Sequence, residues 1–389
     1  RPGCDETLDE ALVLFFPGPK SETGEDLCEL QVHGGRAVVA AVLGALGNLP
    51  GLRPAEPGEF ARRALLNGKM DLLDLEALAD LIDADTEVQR RQAVEGAGSL
   101  LRGRAESWRA QLLEIRADLE AGIDFSDEGD VQEQFDSDSE RLLDQLVSEM
   151  EAALNGARRG EKIREGFRVA LLGPPNAGKS SLLNAIAGRD VAIVSESAGT
   201  TRDRLEVALD LCGLPILITD TAGLQETGDA VEREGIRRSL AAAAEADLIL
   251  WMSPADQPCA PPEALLGDER LRTVESKGDA AAPGESVERW ARVSVVTGEG
   301  LASLLDAIGE AGRAGLGGSE PALIARERQR RAVAEARDGL VAARALARRA
   351  PELCAEEVRL AERALERLVG RNDVEAVLGA IFSRFCIGK

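Results

Sequence analysis

Eight residues near the middle of the chain, Gly173-Pro174-Pro175-Asn176-Ala177-Gly178-Lys179-Ser180, have the spacing of a loop that cradles phosphate. Glycines let backbone N–H groups turn toward phosphate oxygens, and a helix opening behind them adds its positive dipole end. Lys179 is placed to reach the β- and γ-phosphates, and the Ser180 hydroxyl to bind Mg²⁺. Two further segments follow in order. Gly199-Thr200-Thr201-Arg202-Asp203 offers the Thr201 hydroxyl to the same Mg²⁺, and Asp220-Thr221-Ala222-Gly223 offers Asp220 through water, with the Gly223 N–H facing a γ-phosphate. Three such segments in this order point to a GTPase.

Base choice in such a site falls to an Asn-Lys-x-Asp turn, and here Ser276-Lys277-Gly278-Asp279 occupies that place. Asp279 can accept from both guanine edge donors, which adenine does not offer, and Lys277 can lie along the base. Ser276 stands where an amide normally ties the turn to neighbouring loops, so a lowered affinity is expected. Ser294-Val295-Val296 would bring backbone donors to the guanine carbonyl. No glutamine follows Gly223; the next residue is Leu224, and Glu226 and Glu232 are the nearby acids that either orient the water or simply face solvent. Asn176, Ser195, Ser197 and Thr200 supply oxygens suited to a monovalent cation, which would neutralise phosphate charge as an arginine does elsewhere. Ser181, Glu196 and Ala198 complete the expected nucleotide contacts.

These residues need a scaffold, and the patterning supplies one. Apolar runs at 167–172, 205–211, 215–220, 247–252, 271–275 and 291–296 read as strands alternating with helices, a mixed, mostly parallel sheet with ligands at its strand ends. Helical spacing dominates on both sides: 69–82, 104–121 and 139–157 before it, 321–349 and 355–385 after it. The acidic stretch 124–138 reads as a loop, and the glycine-rich stretch 312–319 as a flexible linker. At the start, 11–16 and 28–32 read as strands, 35–46 as a helix and 50–57 as a loop. The fold class is therefore α/β plus all-α, with a P-loop GTPase domain inserted into a discontinuous helical domain. The expected divisions are 1–67, 68–165, 166–316 and 317–389.

Composition narrows the functions. The 389 residues hold 69 acidic and 46 basic side chains, a net charge of −23. Binding nucleic acid by bulk attraction calls for the opposite sign, so an RNA partner would be met locally or through another protein. A single histidine, His33, excludes multi-histidine metal sites, and the six scattered cysteines suit a reducing compartment better than disulfides or zinc. No apolar run approaches the ~20 residues of a membrane span. The sequence opens at Arg1 without a signal pattern or an initiator Met, and reads as a fragment.

Further short segments run along the whole chain: Phe16-Pro17-Gly18-Pro19, Thr23-Gly24-Glu25-Asp26, His33-Gly34-Gly35, Pro57-Gly58-Glu59-Phe60, Asn67-Gly68-Lys69-Met70-Asp71-Leu72 and the terminal Phe385-Cys386-Ile387-Gly388-Lys389. With the nucleotide motifs, they resemble one family, the tRNA-modification GTPase MnmE (TrmE). The resemblance implies that residues 1–67 are part of an α+β tetrahydrofolate-binding and dimerisation domain. It implies a K⁺-activated, Mg²⁺-dependent GTP hydrolase that binds GTP and GDP and works in the cytoplasm, or an organellar matrix. The implied partners are a second copy (a homodimer), an MnmG-type flavoprotein in a heterotetramer, and tRNA, with no membrane. Together they would add a carboxymethylaminomethyl-type group at C5 of the wobble uridine, using a tetrahydrofolate derivative.

Residue by residue, Asn176, Ser195, Ser197 and Thr200 match the K⁺ site, and Glu232 the water-orienting glutamate. Glu29, Lys69 and Lys389 match folate-pocket positions, and Cys386 the C-terminal cysteine, either a catalytic thiol or a small packing residue. The strands that carry an arginine of that pocket would precede Arg1, so this chain is expected to be truncated there and impaired in folate binding and dimerisation. Arg326, Arg328, Arg330 and Arg331 either meet tRNA phosphates or form a solvated helix face. The competing class is a GTP-switch RNA-binding protein of the ribosome-assembly type. Such a switch would carry a basic RNA-binding module in place of these flanks.

Overall fold

A strand enters the phosphate loop from the centre of a six-stranded sheet, and that sheet fixes everything else about the site. The computed structural model describes residues 6–124, 137–189, 191–193, 205–220, 240–280, 289–317 and 321–370. The described residues of Arg1–Asp83, Ala97–Asn155 and Glu327–Lys389 form one unit, and those of Ala84–Gly96 and Gly156–Arg326 form another.

In the first unit, β1 (Leu12–Phe16) pairs antiparallel with β2 (Leu27–Gln31), Leu14 opposite Glu29. Helices α1 (Arg36–Gly47) and α2 (Glu59–Leu66) follow. The helix α3 (Leu72–Ile82) begins at a reciprocal cap. Asp71 accepts from the Asp74 N–H at 2.9 Å, and Asp74 accepts from the Asp71 N–H at 3.0 Å. Later in the chain, α4 (Glu87–Arg91) runs into a π-helical turn at Gln92–Ala97, a stretch that up to Gly96 belongs to the second unit; α5 (Ser99–Asp124) and α6 (Ser137–Glu165) are long helices, α6 from Gly156 onward being counted with the second unit. The apolar faces of α5 and α6 bury Trp108, Leu112, Ile115, Leu143 and Met150.

In the second unit the sheet order is β4-β5-β3-β6-β7-β8. The strands are β3 (Phe167–Leu172), β4 (Leu205–Leu211), β5 (Leu214–Asp220), β6 (Leu248–Pro254), β7 (Leu271–Ser276) and β8 (Ala291–Arg292). All neighbours are parallel except β4 and β5, which form a hairpin. Its two-residue turn is Cys212-Gly213, with φ of 57° and 81°, the pair of positive angles that a type I′ turn requires. Strands β3 and β6 are apolar along nearly their whole length because helices cover both faces of a parallel sheet.

Two sequence expectations are corrected here. The stretch 312–319 is not a linker up to Leu316: α8 (Leu301–Leu316) runs through it with Gly312 and Leu316 buried. A Cβ on Gly312 would stand 2.8 Å from Ile216 Cδ1, and one on Gly315 2.6 Å from Phe167 Cε2. These glycines thus serve close helix-to-sheet packing. The last strand stops at Arg292, because Ser294 turns the chain: its carbonyl accepts from the Gly298 N–H and its hydroxyl from the Thr297 N–H.

Two helices, α9 (Glu327–Leu346) and α10 (Pro351–Val369), return to the first unit; α9 packs on α10, and α10 packs on α5 and α3. The arginine cluster on α9 is divided by this packing. Arg328 forms two 2.8 Å bonds to the carboxylate of Glu76, which is 2% exposed, and also donates to the carbonyls of Arg367 and Leu368 at the end of α10. Arg331 pairs with Glu327 one turn back at the surface. Arg328 therefore closes the interior of the helical unit and is spoken for. Of the acidic loop expected at 124–138, the described ends are helical, Asp124 closing α5 and Ser137 and Asp138 opening α6; residues 125–136 lie outside the described residues, as does everything beyond Gly370. No described helix is long and apolar enough to cross a membrane.

Candidate nucleotide site

The loop begins where β3 ends. Gly173 has φ of 151°, and a Cβ there would meet the Met252 carbonyl at 2.6 Å, so the neighbouring strand leaves no space for a side chain. Pro174-Pro175-Asn176-Ala177 then makes a turn closed by the Ala177 N–H on the Pro174 carbonyl at 3.2 Å. Proline second and a residue of positive φ third (Asn176, 61°) is the pattern of a type II turn. Gly178, at φ 89°, starts α7 (Lys179–Ala187) without any side-chain cap, which leaves the first N–H groups of the helix directed at the loop. Asn176 itself is exposed at the turn.

Lys179 is 6% exposed and curls back, its Nζ donating to the Gly173 and Pro174 carbonyls at 2.8 and 2.9 Å. Burial pushes its pKa down, and the nearby Asp220 charge opposes that shift. Asp220, fully buried at the end of β5, accepts from the Ser180 hydroxyl at 2.6 Å. A serine hydroxyl and a carboxylate side by side are the hard oxygen donors that Mg²⁺ prefers, so the two described members of the expected Mg²⁺ set fit that ion.

At the far side of the sheet end, Lys277 has φ of 54°, and the Gly278 N–H donates to the Val293 carbonyl at 2.9 Å. Asp279 accepts from the Ser294 hydroxyl at 2.5 Å, which holds its carboxyl below the usual range together with its own backbone N–H. The Ser294 N–H is engaged with the Glu299 carbonyl at 3.0 Å, so this residue serves the site through its hydroxyl. Val295 packs against the sheet core, and Val296 is 85% exposed. The Lys277 Nζ is ion-paired to Asp256 at 3.1 Å.

Ser276 also departs from expectation. The tie to the neighbouring loop is kept: its hydroxyl, buried, donates to the Ala177 carbonyl at 2.7 Å.

Three residues that sequence reading passed over support this turn: Asp256, Arg292 (whose guanidinium donates to the Gly278 carbonyl) and Glu275, which is ion-paired to Arg292 at 3.1 Å. Nothing in their local pattern marks them, since each acts across a gap in sequence. Ser195, Glu196, Ser197, Ala198, Gly199, Thr200, Thr201, Thr221, Ala222, Gly223, Glu226, Glu232, Cys386 and Lys389 lie outside the described residues. Of the folate-pocket candidates, Glu29 is exposed on β2. Lys69 is exposed with its stem against Gly24, where a Cβ would be 3.3 Å from Lys69 Cε. No described contact joins the two.

A phosphate loop between β3 and α7, an aspartate ending the adjacent strand and a base-type turn after β7 define a P-loop nucleotide-binding domain of the GTPase class. The family model for the MnmE helical domain matches residues 72–386, and that for the TrmE N-terminus matches residues 2–69. The tRNA modification GTPase MnmE of Methylobacterium sp. (strain 4-46) is 52% identical over 396 residues, covering 100% of this chain and 88% of that protein. The same-named protein of Beijerinckia indica is 51% identical over 390 residues (100% and 85%), and that of Rhodospirillum rubrum 50% over 395 (99% and 85%). Among solved structures, the G domain of the T. maritima FeoB iron transporter is 26% identical over 37% of this chain and 98% of that one, with a TM-score of 0.29. The chain belongs to the family of tRNA modification GTPases MnmE.

Proposed function

We propose that this chain is a K⁺-activated GTP hydrolase that works with an MnmG-type flavoprotein in folate-dependent modification at C5 of the wobble uridine of tRNA. Family membership along the whole chain carries this reading, and the arrangement of Lys179, Ser180, Asp220 and Asp279 supports its nucleotide part. The divisions 1–67, 68–165, 166–316 and 317–389 are proposed as the folate-type, helical, GTPase and second helical segments.

Ser180, Thr201 and Asp220 would hold Mg²⁺, and Asn176, Ser195, Ser197 and Thr200 would hold K⁺. Bound there, the two ions supply positive charge beside the phosphates. The chain's own groups do the rest. Lys179, released from the Gly173 and Pro174 carbonyls, pairs with phosphate oxygens, and the desolvation that depresses its pKa would be offset by the charge of an anionic ligand. The first N–H groups of α7 bind the same phosphates, and Asp279 accepts from the guanine edge. Glu232 orients the attacking water, and Glu29, Lys69 and Lys389 face the folate, with Cys386 a candidate thiol close to it. A homodimer, bound to the flavoprotein as a heterotetramer, is the proposed working assembly.

GTP turnover should rise substantially when K⁺ replaces Na⁺, and Glu232→Ala should abolish hydrolysis while leaving nucleotide affinity near normal. Equal rates in the two salts would refute the cation site. Loss of binding in the variant would assign Glu232 a structural role.

A further inference from the structure

The phosphate end and the base end of the nucleotide site are built on separate loops, 99 residues apart in sequence where they touch. Most of the bonds that shape the base turn stay on its own side. Gly278 N–H bonds to Val293, the Arg292 guanidinium to the Gly278 carbonyl, the Ser294 hydroxyl to Asp279, and Lys277 to Asp256. These fix the shape of the turn. They do not fix its distance from the phosphate loop.

Among the described hydrogen bonds of the turn, the one that reaches the phosphate loop is that of Ser276. Its side chain is 3% exposed, and the carbonyl it meets belongs to Ala177, which is fully buried. Ser276 is held in turn through its own carbonyl, which accepts from the Ala255 N–H at 2.8 Å. A hydroxyl is one bond shorter than an amide group, so this tie holds the end of β7 closer to the loop than an asparagine would need.

We propose that Ser276 is a positioning residue for base discrimination: its hydroxyl sets the spacing between the phosphate loop and the Asp279 turn. The proposal rests on the guanine-nucleotide reading of the site and deepens it. A nucleotide spans both loops, so its diphosphate anchors it at one end while Asp279 must meet two edge donors at the other. Directional bonds suffer more from a small displacement than phosphate charge does. Losing the tie therefore weakens both edge contacts, the one to the 2-amino group included. Inosine nucleotides lack that amino group and have less to lose.

The test uses the full chain and titrates GDP and inosine diphosphate against the wild type, Ser276→Ala and Ser276→Thr. The alanine variant should bind GDP about 5-fold more weakly, the size of one net hydrogen bond, and its GDP-to-IDP affinity ratio should fall. The threonine variant keeps the hydroxyl and should restore the ratio. An unchanged ratio in the alanine variant, whether affinity holds or both ligands weaken together, overturns the proposal, as does failure of threonine to rescue. A wild type that does not prefer GDP to IDP refutes the guanine reading itself, before either variant is measured.

Discussion

Replacing Glu76 with alanine tests how the helical unit is closed and what Arg328 is for. Glu76 accepts three bonds of 2.8 Å, two from Arg328 and one from the fully buried Gln329. Cutting one side of a buried pair costs about 3–5 kcal/mol, because the partner charge stays behind. Arg328 is 22% exposed and keeps the Arg367 and Leu368 carbonyls, so solvent and backbone soften the loss. The expected cost is about 2–4 kcal/mol, with Gln329 contributing through its lost acceptor. At a urea slope of about 2 kcal/mol/M this lowers the midpoint by about 1–2 M.

The helical unit can be followed by itself. Trp108 is buried on α5, while Trp251 and Trp290 belong to the sheet unit, so a Trp251→Phe, Trp290→Phe background reports α5 alone. Arg328→Ala should destabilise too, and the double variant should cost clearly less than the two single ones together. A Glu76→Ala protein within about 0.5 kcal/mol of the parent would refute the reasoning. So would an Arg328→Ala protein of unchanged stability that binds RNA more weakly.

Two other expectations concern stability. Cys354 is fully buried on α10, and burial raises its thiol pKa to about 11 from 9.0. The unfolded thiol ionises first, so stability present below pH 9.0 should be lost as pH rises toward about 11, by about 2–3 kcal/mol, and Cys354→Ala should flatten that slope in urea titrations at pH 8 and 11. Gly315→Val should destabilise the sheet unit by about 1–3 kcal/mol, since its Cβ would press on the Phe167 ring; thermal melts that match the parent would mean the segment behaves as a linker after all.

Much of the sheet was legible because a buried parallel strand must be apolar along its length, as β3 and β6 are. The phosphate loop was legible because its glycines and lysine act within a few residues of one another. What failed to show were contacts across long separations. Composition reads Gly312 and Gly315 as flexible, whereas Ile216 and Phe167 make them close-packed. A helix period places Arg328 beside Arg331 without revealing Glu76 beneath it. Substitution of the expected amide by Ser276 suggested a lost tie, and only the proximity of Ala177 shows it kept. Residues 291–296 read as one strand, because nothing local tells that the hydroxyl and carbonyl of Ser294 both turn the chain there.

The chain leaves the sheet unit through residues 322–326. Gln92 behaves like a peptide group toward Ala322, donating to its carbonyl and accepting from its N–H, each at 2.7 Å. The same exit segment lies against the last turns of α6, where Arg164 Nε donates to the Ala325 carbonyl at 3.2 Å and Gly160 has no space for a Cβ beside the Ile324 carbonyl. Entrance and exit therefore meet. An unfolded segment of roughly 160 residues would carry a closure cost of several kcal/mol relative to a tight turn, growing with the logarithm of its length. With its ends stapled at Ala322 and Ala325, the folded insert presents the chain with a gap only a few residues wide. An excision joining Arg164 to Ala325, or the grafting of another domain between them, thus has its endpoints already marked by the hydrogen bonds of this structure.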